Sequence, residues 1–293
     1  MTGILTNLLG LFQKKPQGPY GIKRVKAGAA IVKVDQSAYD ENGRVVLPSV
    51  VGERRVVALG AWLFEDCVAL KDVVIPEGVL EIGDGAFDGC MALTNVELPE
   101  GVVRIGRYAF DGATSLTNIR IPASVREIGL DAFARSAVAV DVDRYNDWYS
   151  SESGVLFDKW KSTLLHFPTI SAIREYAIPK TVREIDECAF EGASSLVSVA
   201  IPGSVKTIGN AAFLDCSSLA KVELAEGVEI IDEGAFDGCS ALTRLVIPTS
   251  VSQIEDPFYK CPAVLVVRKG SYAESWARRE GREFEIVECR KTF

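Results

Sequence analysis

Few residues in this chain have the types and spacing that chemistry needs. The 293 residues include a single histidine, His166, which excludes a multi-histidine metal centre within one chain. His166 ends an aromatic-rich stretch and reads as a structural residue. Asp141, Asp143 and Asp147 begin like a calcium loop. Tyr145 and Asn146 stand where an EF-hand requires a carboxylate and a glycine, so a solvated loop is expected. Gly83-Asp84-Gly85 opens like a nucleotide-binding loop, but the third glycine, Gly89, comes one residue late. No Walker loop and no Gly-x-Ser-x-Gly elbow follow. Carboxylates such as Glu100 and Glu226 recur on turns and read as a solvated face. Seven cysteines cannot all pair. Cys67 and Cys90 are separated by the same interval as Cys216 and Cys239, and matching positions hold Ala113, Ser136 and Ala193. That pattern describes a small buried side chain rather than a metal or disulfide framework. No catalytic residue, metal or cofactor is expected.

The elements that carry these residues follow from that same interval. Phe64, Phe87, Phe110 and Phe133 recur at a constant spacing, and Phe190, Phe213 and Phe236 resume it. A fixed period of this kind means stacked repeats. Copies beginning at Leu70, Leu93, Leu116, Ile173, Leu196, Leu219 and Leu242 share the template L-x-x-V-x-I-P-x-x-V-x-x-I-G-x-x-A-F-x-G-C. In one copy Leu93, Val96 and Leu98 nearly alternate, which suits a short strand with one face buried. Pro99 lacks an N–H and ends that strand. Val102 and Ile105 return to the core, Ala109 and Phe110 are expected in a helical turn, and Gly112 lets the chain reverse. The expected fold is a solenoid of about 23-residue coils. Short parallel strands stack in a ladder, with turns and short helical segments on the other side and a C-terminal capping helix. Ser271 and Glu274 form a capping box for that helix, Gly281 closes it, and Trp276 is expected to cover the last coil.

The divisions follow from where the period holds. Residues 1–26 form an N-terminal amphipathic segment and linker, 27–69 an N-terminal capping coil, and 70–138 a run of repeats. Residues 139–172 interrupt the period. Two apolar runs, Gly154–Phe157 and Thr163–Phe167, flank Asp158–Ser162 and predict a hairpin projecting from the solenoid. Repeats resume over 173–263, and 264–293 form the C-terminal cap.

Taken together, these motifs resemble the BspA-like leucine-rich repeat family over roughly residues 40–288. The IP-x-x-V-x-x-IG-x-x-AF-x-GC core, the interruption SGVLFDKWKSTLLHFP and the ending VVRKGSYAESWARREG carry the likeness. The resemblance implies a leucine-rich-repeat solenoid, a binding or adhesion role at a bacterial cell surface, and no shared catalytic residues.

What the framework leaves over is surface. Net charge is −8 and the pI about 5.0, which lacks the basic face that nucleic acid requires. Along the strands the variable side chains include Asn95, Glu97, Asn118, Arg120, Arg174, Lys221 and Arg244. Extended faces of this kind bind partners in solenoids, and the mixed charge favours a protein or peptide. Among the aromatics of the interruption, Trp160 at the hairpin tip is the contact candidate, whereas Trp148 is expected to pack on the solenoid. The leading expectation is a non-enzymatic binding module. A structural or assembly protein attached through its N-terminal helix is the alternative, and a carboxylate-based enzyme a distant third. Residues 1–15 place Ile4, Leu5, Leu8, Leu9 and Phe12 on one helical face. Docking on the chain itself or a partner is expected there, with membrane contact as the other option. Unpaired cysteines and the lack of a clear signal peptide lean cytoplasmic, while the resemblance implies the cell surface.

Overall fold

A computed structural model describes residues 19–169 and 172–288, so the expected helix over residues 1–15 lies outside the described residues. The chain winds about 11 coils of about 23 residues. Each coil has three sides, and each side is a ladder with its own cause.

The first ladder holds the three- to five-residue strands that follow the repeat leucine. Arg44–Val46, Asp72–Val74 and Asn95–Glu97 pair in parallel, and Asn118–Ile121 pairs with Ala139–Val142. Beyond the interruption come Glu175–Ala177, Ser198–Ile201 and Lys221–Leu224, then Arg244–Val246, Val264–Arg268 and Phe284–Val287. Partners such as Val73 and Val96 are one period apart, so the sequence period is the strand register.

The second ladder is made of two-residue strands, Glu81–Ile82, Arg104–Ile105 and Glu127–Ile128, then Glu184–Ile185, Thr207–Ile208, Ile230–Ile231 and Gln253–Ile254. Here adjacent coils pass so closely that glycine is required. A Cβ on Gly106 would lie 2.5 Å from the Asp84 nitrogen.

On the third side stand the phenylalanines. Phe64–Phe87, Phe87–Phe110 and Phe110–Phe133 stack with ring centroids 5.2–5.7 Å apart, and Phe190–Phe213 and Phe213–Phe236 at 4.6 and 5.3 Å. The expected helical turns around them are consecutive tight turns. Tyr108 and Gly112 adopt positive φ, and the N–H groups of Tyr108, Phe110 and Gly112 donate to carbonyls of the next coil rather than along a helix. Helical geometry would aim those groups along the coil and leave the coils unstitched.

Both ends are closed. Tyr20–Val25, within the expected linker, forms an antiparallel hairpin with Gly28–Val34, which pairs in parallel with Arg54–Leu59. At the other end the one α-helix among the described residues spans Tyr272–Glu280. The Glu274 N–H donates to Ser271 Oγ, the Glu274 carboxylate accepts from the Gly270 N–H, and Gly281 adopts φ 66°. Trp276 is 2% exposed and meets Phe258 edge-on at 6.1 Å.

The interruption differs from its expectation. Val155–Asp158 and Thr163–His166 do pair as an antiparallel hairpin, but Tyr149–Glu152 adds a third strand, and the meander does not project. Thr163–His166 also pairs in parallel with Glu184–Ile185, so the meander joins the second ladder. Val155, Leu156, Phe157 and Leu164 are at most 1% exposed. Phe167 occupies the place one period before Phe190 and stacks on it at 4.8 Å. All the surplus length therefore falls in one long coil between Phe133 and Phe167.

Candidate functional site

The expected contact residues divide between two sides of the molecule. Asn95, Glu97, Asn118, Arg120, Arg174, Lys221 and Arg244 are exposed on or beside the first ladder. Most of them are engaged within it. Asn95 Nδ2 donates to Asp72 Oδ1 at 2.9 Å, and Asn118 Nδ2 to Thr117 Oγ1 at 3.3 Å. Arg120 bridges Glu100 at 2.6 Å and Asp143 at 2.5 Å, Lys221 pairs with Glu223, and Arg244 reaches Glu285 at 2.7 Å. Opposite charges along and across the strands leave the face nearly self-neutral, and at such exposure solvent screens each pair, so they contribute little to stability.

Trp160 is not on this face. It follows the strand Val155–Asp158, which belongs to the second ladder, and is 79% exposed. Trp148, expected to pack, is 53% exposed, and Tyr145 69%. The reason lies in Asn146. Its side chain, not the indole beside it, anchors the long coil. Asn146 is fully buried; its Nδ2 donates to the carbonyls of Pro122 and Val125, each at 2.9 Å. Its Oδ1 accepts from the N–H groups of Trp148 and Tyr149, each at 2.8 Å. Every hydrogen bond an asparagine side chain can make to these neighbours is used, and Trp148 is turned outward. Sequence reasoning missed Asn146 because a buried asparagine looks like a loop asparagine. Tyr149 alone packs inward, where its hydroxyl accepts the Ile128 N–H at 2.8 Å.

The expected solvated carboxylates also have partners. Glu226 accepts the N–H groups of Thr249 and Ser250 at 3.0 and 3.1 Å, which holds its carboxyl below the ordinary range. Asp143 accepts from the Tyr145 N–H at 2.9 Å and from Arg120, so it is not free to converge on an ion with the other aspartates of the imagined calcium loop.

Between the long coil and its neighbours lies a cavity of about 260 Å³. His166, Asp131, Asp186, Glu187 and Cys188 are on its wall, with Phe133 and Leu156. The stitching of the third side stops here. Tyr108, Phe110 and Gly112 donate to the coil after them, but among the described residues Asp131, Phe133 and Arg135 form no such bond. His166 is 4% exposed, its Nε2 lies 3.1 Å from the Val138 carbonyl, and its ring tilts against Phe133 at 5.8 Å. Burial lowers its pKa to about 4, so the ring is neutral and Nε2 carries the proton toward Val138. Burial raises Asp131 to about 6, with Glu187 adding to the shift. Burial, then Asp131 and Glu191, pushes the Cys188 thiol up, and burial raises Asp186. No helix among the described residues is long and apolar enough to cross a membrane.

Comparison with known proteins agrees with this architecture. The profile of the BspA type leucine rich repeat region matches residues 33–147 and 166–268 in 6 copies, leaving most of the meander unmatched. A leucine rich cell surface protein from Faecalibacterium prausnitzii is 23% identical, with a TM-score of 0.56 over 93% of this chain and 94% of that one. The pneumococcal vaccine antigen PcpA is 15% identical, with a TM-score of 0.61 over 92% and 97%. A leucine-rich repeat protein from Eubacterium ventriosum is 21% identical, with a TM-score of 0.58 over 82% and 79%. No curated protein matches the sequence.

Proposed function

The chain belongs to the BspA type leucine-rich repeat family, and from that premise we propose that it is a non-enzymatic module that binds a protein or peptide partner. Contact is made by the first ladder together with the aromatics of the long coil. One observation carries the reading. Framework aromatics such as Phe87, Phe110 and Phe213 are buried completely, whereas Tyr145, Trp148 and Trp160 are 69%, 53% and 79% exposed. Large aromatics left in water are the side chains that dominate interface energetics. The matched charges of the ladder add orientation rather than affinity. A surface role has support from the F. prausnitzii protein, which is described as a cell surface protein. The test is a pull-down of the full chain against candidate surface proteins, repeated with Trp160→Ala and with Arg120→Glu/Arg244→Glu. Binding lost in either variant supports the surface; undiminished binding in both removes it.

A further inference from the structure

We propose that Asp131, Glu187 and Cys188 form a divalent-metal site, with zinc as the matching ion, that ties the two halves of the solenoid across the cavity. One ligand atom from each lies within 4.8 Å of the other two. Two carboxylates and a thiol are a borderline-soft donor set that suits zinc better than calcium or magnesium.

The placement is specific to this coil. Asp131 and Cys188 both stand two residues before a column phenylalanine, Phe133 and Phe190, on opposite sides of the long coil. In most other coils that position holds a non-ligating residue, Trp62, Gly85, Tyr108, Ala211 or Gly234, and in the last coil it holds Asp256, before Phe258. Asp131 and Cys188 are the ligating types at this position that come within reach of each other across the gap. Asp131 holds φ 55° and Cys188 φ 53°, so both side chains leave the same kind of tight turn.

Two further observations point to a missing ligand. Asp131 Oδ1 is inaccessible to water and has no hydrogen-bond partner. An unpaired buried carboxylate oxygen is costly, and a cation is a partner that would satisfy it. The second is His166, only 4% exposed and on the same wall. Its Nε2–H is committed to the Val138 carbonyl, while Nδ1 has no protein partner among the described residues. A neutral imidazole with one nitrogen bound to a backbone carbonyl offers its other lone pair to whatever fills the space. All three residues line that cavity. On binding, the Cys188 S–H proton goes to solvent and its sulfur lone pair forms the metal bond, without redox change.

The full chain, reduced with a phosphine, is titrated with Co²⁺ followed by optical absorption and with Zn²⁺ followed by thermal unfolding. We expect a near-ultraviolet thiolate-to-cobalt charge-transfer band, displaced by Zn²⁺, and a rise in Tm with Zn²⁺. Cys188→Ser removes the band, Asp131→Asn weakens binding roughly tenfold or more, and Cys261→Ser leaves both signals intact. Absence of the band in the unsubstituted chain, or a band that persists in Cys188→Ser, overturns the assignment. If Cys188→Ser does not fold, the Asp131→Asn titration decides: unchanged affinity overturns the site.

Discussion

The regular coils and the long coil solve the same packing problem in opposite ways. Coils 70–138 fill their interior with the same apolar set each turn, and their polar groups meet one coil apart at the surface, as Arg104 meets Glu81 and Glu127. Among the described residues, the buried polar side chains are Asp111, Ser136, Asn146, His166 and Thr169, all in or beside the long coil. There the strand Val155–Asp158 lies between two apolar cores, Leu156 joining the N-terminal one and Val155 and Phe157 the C-terminal one. Repetition makes polar interiors unnecessary. Where repetition breaks, backbone groups lose their next-coil partners, and polar side chains replace them.

That contrast can be broken at several points. The largest effect is expected at the column itself: Phe110→Ala should cost about 4 kcal/mol by removing a stacked ring from a dry interior, read by denaturant unfolding. Asn146→Ala should cost about 3 kcal/mol, because carbonyls of the preceding coil and N–H groups of the long coil lose their shared partner. The same change at Asn95, whose amide meets only Asp72 on an exposed face, should stay within about 0.5 kcal/mol. Comparable losses at the two asparagines would erase the distinction between the regions.

A third expectation concerns pH. His166 has a folded pKa near 4, below its ordinary 6.5. Its neutral form therefore contributes stability that is complete above pH 6.5 and is lost as pH falls toward 4, where the unfolded chain takes up the proton and the folded chain does not. The loss is on the order of 3 kcal/mol. Asp131, raised to about 6, acts in the opposite sense over part of that range, so the difference between the native chain and His166→Leu isolates the histidine. Identical pH profiles for the two proteins would contradict the burial. Smallest of all is Trp160→Ala, expected to change stability by less than about 0.5 kcal/mol while removing partner binding.

Legibility in the sequence follows the same divide. Period, strand register, the small buried cysteines and the C-terminal cap can be read because each position repeats under one constraint. Cys90, Cys216 and Cys239 are fully buried and donate to the carbonyls of Phe64, Phe190 and Phe213, whereas Cys67, in the irregular first coil, is only half-buried. The long coil is harder. Counting forward from Phe133 hides Phe167 as the missing ring, although counting back one period from Phe190 finds it. Trp148 departs from its expected packing because Asn146 takes the buried place, and that depends on carbonyls of Pro122 and Val125 more than 20 residues earlier. The meeting of Asp131 with Cys188, far apart in sequence, depends on how the gap closes and has no local signal.

Amide hydrogen exchange, resolved by residue, tests the division most directly. Phe87, Phe110 and Phe133 are all buried, but only the first two donate their N–H to the next coil. The Phe133 amide is predicted to exchange markedly faster than those of Phe87 and Phe110 under native conditions. Equal protection at all three would mean that the ladder runs unbroken through the long coil, and the account of this region would be wrong.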